Sequence, residues 1–64
     1  MQDLLKIIKW KDEISQIEYM LTKLEVAEEK YAEEERYEQA QLMLLEQKRL
    51  LKRKRYLETK IKNT

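Results

Sequence analysis

Cysteine, histidine, glycine, proline and phenylalanine are all absent from the 64 residues of this chain. Without cysteine there are no disulfides and no thiolate metal sites to stabilise a small fold. Without histidine, the usual zinc ligand and general base are gone as well. The one serine, Ser15, has no imidazole to activate it, and no glycine-rich loop exists to cradle a phosphate. The many glutamates cluster in stretches that a small fold cannot desolvate. The residues therefore point to a non-enzymatic protein with no cofactor and no metal. Long apolar runs are also missing, so no membrane-spanning segment is expected. Lys6, Lys9 and Lys11 interrupt the N-terminal apolar run and no small-residue cleavage site follows, a poor match to a secretory signal. The expectation is a cytoplasmic protein, and Met1 suggests a complete small reading frame of the regulatory kind.

A strand-rich fold needs turn residues every few positions, and this chain has almost none. What it has is charge, at 42% of residues, and an abundance of Glu, Lys, Leu, Arg and Gln. That profile belongs to long helices and coiled coils. Apolar residues run Ile7, Trp10, Ile14, Ile17, Leu21, Leu24 and Tyr31, alternately three and four apart. A second run, Tyr37, Ala40, Leu44, Leu51 and Ile61, keeps the spacing in a different phase. The two are mirror images about Glu34, so that Leu24 faces Leu44, Ile17 faces Leu51 and Ile7 faces Ile61. A helix that folds back on itself needs that relation, because facing layers meet at equal distances from the turn.

The predicted fold is all-α: an antiparallel two-helix hairpin of coiled-coil type, one domain over 1–64. Arm one covers about 3–32 with Asp3 as N-cap, the tip about 33–36, and arm two about 36–62 with Asn63 as the stop. The alternative is one continuous helix in a coiled coil, because Glu33, Glu34, Glu35 and Arg36 are helix formers. Gly, Pro, Asn, Asp and Ser are missing from the whole of residues 16 to 62. A straight helix, however, would swing its apolar stripe through about 200° at the phase break and have to bind on two opposite sides. The acidic cluster also sits where a solvated tip would let like charges splay apart.

Tyr37-Glu38-Gln39-Ala40 resembles the aromatic-Glu-x-Ala start of the second helix in UVR-type helical hairpins, small modules that mediate protein contacts. The Arg-Asp pair that follows in that family is replaced here by Leu44 and Leu45, and its second alanine by Gln41. The resemblance implies hairpin geometry, and no function is carried over from it.

Charge is segregated although the net is only +1. Residues 28–38 hold six glutamates against Lys30 and Arg36, a local balance of −4. Residues 48–62 hold Lys48, Arg49, Lys52, Arg53, Lys54, Arg55, Lys60 and Lys62 against Glu58, a balance of +7. Glutamate early and lysine or arginine late in a helix complement its dipole, and a charge run is most often a solvated face. The functional reading of the basic segment is a phosphate-binding stripe or a patch for an acidic protein. Lys48, Lys52, Arg55 and Lys62 fall on one edge of the helix, and Arg49, Arg53 and Lys60 on another.

Both arms also carry apolar residues away from the main stripe: Leu5, Ile8, Tyr19 and Val26 on the first, Leu42, Leu45 and Tyr56 on the second. A surface helix with one buried face should be polar opposite it. Together with Met43, these residues are the candidate contacts, as the core of a four-helix homodimer or a groove for another protein's helix. A chain this short often cannot bury enough core alone, which favours self-association or a larger partner. Trp10, among lysines, would suit a membrane interface or the open end of the hairpin near Leu57 and Ile61. The expected function is a small protein–protein interaction module acting through helix packing, as adaptor, inhibitor or subunit. The alternative is a nucleic-acid-associated regulator using residues 48–62.

Overall fold

Helix α1 spans Asp3–Glu33 and helix α2 Tyr37–Lys62, in a computed structural model that describes residues 3–64. Met1, Gln2 and the side chain of Asp3 fall outside the described residues, and with them the expected N-cap contact. The two helices pack antiparallel along nearly their whole length, in a rod of 51 × 15 × 11 Å. The chain is an all-α hairpin, and the continuous helix is ruled out by the reversal at Glu34–Arg36.

The reversal is made without glycine. Glu35 takes a left-handed backbone at φ 60°. Its N–H donates to the Ala32 carbonyl at 3.1 Å, and the Arg36 N–H donates to the Tyr31 carbonyl at 2.8 Å. This is a Schellman motif, a helix ending that almost always places Gly where Glu35 stands. The apolar contact that normally accompanies it is replaced by the Arg36 guanidinium, 5.2 Å from the centre of the Tyr31 ring. Arg36 then caps α2, with its carbonyl accepting from the Ala40 N–H at 3.1 Å and no side-chain cap bond. A left-handed conformation costs an L-residue roughly 1–2 kcal/mol. Glu35→Gly is therefore expected to raise stability by about 1 kcal/mol after the added freedom of the unfolded glycine is subtracted. A thermal melt of the variant checks it, and an unchanged or lower midpoint would mean that the tip is not strained.

The seam of α1 follows the expected stripe: Ile7, Trp10, Ile14, Ile17, Leu21, Leu24, Glu28 and Tyr31 are all buried or half-buried. The seam of α2 follows the expected stripe only in part: Ala40, Leu44 and Ile61 are half-buried as expected, and Tyr37 and Leu51 are not. Its line of burial runs through Ala40, Met43, Gln47, Leu50, Lys54, Leu57 and Ile61, three and four apart, with Leu44 half-buried beside Met43. Tyr37 is exposed, and Leu51 lies on the flank at 38% exposure while its neighbour Leu50 is buried. The expected pairing of Ile17 with Leu51 is thus replaced by a core of Ile17, Leu50 and Leu57. Trp10, Ile14, Leu21 and Leu24 pack against that core. The mirror point moves from Glu34 to the Glu35–Arg36 bond.

Two of the seam positions are polar. Gln47, 9% exposed, donates from Nε2 to Glu28 Oε1 at 2.7 Å. Lys54 lays its apolar stem in the seam and brings Nζ to 3.1 Å from Glu18 Oε2 at the edge. No buried side-chain nitrogen or oxygen among the described residues is left without a partner.

Candidate interaction surfaces

With the seam placed, the remaining apolar residues sort by the direction they face. On α1, Leu5, Ile8, Tyr19 and Val26 are all more than half exposed, on the side away from α2. Leu4 and Met20, not singled out in the sequence, are exposed as well. On α2, Leu42 and Leu45 are 59% and 55% exposed, and Tyr56 is 50% exposed. Met43 is half-buried at a seam position, pointing away from that surface. Exposed apolar residues gathered on defined faces, unlike single ones, are what contact surfaces are made of.

The eight basic residues of 48–62 also divide into two sets. The Arg53 guanidinium grips Glu13 with two hydrogen bonds, Nε to Oε2 at 2.7 Å and Nη2 to Oε1 at 3.2 Å. Those hydrogen bonds, against the cost of desolvation, hold the Glu13 carboxyl below the usual carboxylate range. Lys54 pairs with Glu18, and Arg49 pairs with Glu46 one turn back. The Lys60 ammonium sits over two rings, 5.6 Å from Trp10 and 5.3 Å from Tyr56. Trp10 thus closes the open end of the hairpin between the core and this lysine.

Lys48, Lys52, Arg55 and Lys62 have no such partner. Among the described residues, no carboxylate oxygen comes within 4.0 Å of their charged nitrogens. All four are exposed, and separations of four, three and seven positions keep them on one line of the helix. Arg53 and Lys60 are thus engaged across the hairpin and Arg49 only by an exposed pair within its own helix, while the other edge is left to solvent.

Near the tip, Thr22, Lys23, Val26, Ala27, Lys30, Tyr31, Glu34 and Arg36 line an open concavity of about 650 Å³. Three cations against one carboxylate give it a positive rim, but its polar groups do not converge on a common point as they do in a ligand site. Among the described residues, no helix is long and apolar enough to cross a membrane. No protein-family model matches the chain, and neither a curated protein nor a solved structure is similar to it.

Proposed function

We propose that the chain is a non-enzymatic interaction module of the cytoplasm. It acts by packing its exposed helix faces against helices of a second copy, in a four-helix assembly, or of a larger partner. The observation that carries this reading is the outward placement of Leu5, Ile8, Tyr19 and Val26 on α1 and of Leu42 and Leu45 on α2. Each of these side chains is more than half exposed in the hairpin, so covering them removes apolar area from water at about 25 cal/mol per Å². The small internal core of Ile17, Leu50 and Leu57 supports it too, since hairpins of this size gain much of their stability from association.

A second reading is favoured by one observation, the line of four free cations. It would make α2 a backbone-tracking surface for nucleic acid, with no aromatic ladder for stacking bases. Four phosphate contacts predict that log K for duplex DNA falls against log salt with a slope of about −3.6. Helix packing predicts a far shallower dependence.

The test is photo-crosslinking in the source cell, with a photoreactive residue placed in turn at Leu5, Val26, Leu42, Leu45 and Lys48. Protein adducts at the four apolar positions and none at Lys48 are expected. Adducts to nucleic acid at Lys48 alone would install the second reading in place of the first.

A further inference from the structure

The outward face of α2 carries a second three-four stripe that runs Glu38, Leu42, Leu45, Arg49, Lys52 and Tyr56, every member exposed. Its order is self-complementary when reversed. Mirrored about the midpoint between Met43 and Leu44, Leu42 falls on Leu45 and Glu38 falls on Arg49. Glu35, at the tip just ahead of α2, falls level with Lys52. We infer that this stripe is the contact between two copies of the chain. In that dimer two hairpins overlap at their tips, their α2 helices antiparallel across a two-fold axis. This inference rests on the interaction-module reading and names its partner.

Two observations support a second copy over an unrelated helix. An isologous contact requires each residue to meet its complement in the same patch, and this stripe supplies acid for base and leucine for leucine in the needed order. A parallel pair would instead set Glu38 on Glu38 and Arg49 on Arg49. The outward line of α1, which runs Leu5, Asp12, Tyr19, Val26 and Glu33, has no such order. The arrangement also accounts for the segregation of charge. It lays the acidic tip of each copy along the basic stretch of the other, where Lys52 has no partner in its own hairpin. Arg49 is held only by an exposed pair with Glu46, a kind of contact worth little and readily shared.

The contact is short. From Glu38 to Arg49 the helix advances about 16 Å, and from Glu35 to Lys52 about 26 Å. One pair of helices over that length falls below the standard interface, so the dimer is weak and depends on concentration.

Analytical ultracentrifugation of the full chain over a range of concentrations, with Glu38→Arg, Arg49→Glu and the double exchange, tests it. Each single exchange makes two symmetry-related pairs repulsive and is expected to raise the dimer Kd roughly fivefold to thirtyfold. The double exchange restores the pairs with their signs reversed, and its Kd is expected within about threefold of wild type. Rescue cannot come from within one hairpin, because the double exchange keeps every local penalty of the two singles. Far-UV circular dichroism confirms that each variant is folded. A wild-type chain monomeric up to about 1 mM, or a double exchange no better than the singles, overturns the inference. If Leu42 and Leu45 then cross-link to a different protein, only the self-pairing has failed. If no position cross-links to protein, the module reading has failed with it.

Discussion

Leu57→Ala is expected to unfold the chain at room temperature. Leu57 is fully buried and forms the core with Ile17 and Leu50. Truncating a buried leucine removes its transfer free energy and leaves a cavity, together about 2–5 kcal/mol. A domain of this length has a total stability of roughly 3–10 kcal/mol at the usual value per residue. One such substitution therefore removes most of the stability, and nothing else in a two-helix seam can move in to fill the space. Ile17→Ala should do the same, being 4% exposed at the centre of the same cluster. The informative control is Leu51→Ala. Leu51 is as apolar as Leu50, but it lies on the flank at 38% exposure, and its loss should cost about 1 kcal/mol or less. Far-UV circular dichroism melts separate these cases. Equal losses for Leu57 and Leu51 would restore the register mirrored about Glu34 and refute the seam described here.

That control marks the limit of what the residues disclose without the fold. The α1 stripe was legible, because from Ile7 to Leu24 the apolar positions stand three or four apart in one unbroken phase, with a rival one residue away only at Ile8 and Met20. On α2 the signal is degenerate. Leu42 to Leu45 and the pair Leu50-Leu51 offer an apolar residue in more than one phase, and periodicity alone cannot choose between adjacent leucines. The seam also takes in Gln47 and Lys54, which an apolar pattern skips because it counts them as solvent positions. The reversal was legible only as a phase break. Its Schellman hydrogen bonds are backbone bonds, and Glu35 at the left-handed position gives none of the warning that glycine would. Among the basic residues, sequence spacing sorted positions along the helix but not by partner. It could not say that Glu13, Glu18 and Trp10 would engage Arg53, Lys54 and Lys60, since those partners lie across the hairpin. Self-complementarity along Glu38, Leu42, Leu45 and Arg49 was present in the sequence, but it becomes visible only once Met43 and Leu50 are known to turn inward.

The pair of buried Gln47 and half-buried Glu28 carries the second large expectation, that it selects one register from the two that α2 offers. Glu28→Ala leaves the Gln47 amide, 9% exposed, without its acceptor. An orphaned buried donor costs about 1–3 kcal/mol, a loss that a thermal or urea melt of the variant will read directly. Leucine at both positions has the opposite effect on stability. With no polar group left to satisfy, the double variant should melt at or above wild type, as apolar replacements of buried polar pairs often do. The cost appears in uniqueness. Gln47 is satisfied in the seam because it meets Glu28, so the pair favours the observed register by a hydrogen bond that the register burying Leu51 in place of Leu50 would not make. A single polar residue at a seam position fixes register in this way in coiled coils. Removing it should let the two seams compete, and the amide spectrum of the Glu28→Leu, Gln47→Leu chain should show a second set of resonances. One set of resonances at raised stability would mean that the apolar residues hold the register unaided. Unchanged stability in Glu28→Ala would mean that the hydrogen bond contributes nothing, and the choice of Leu50 over Leu51 would then need another cause.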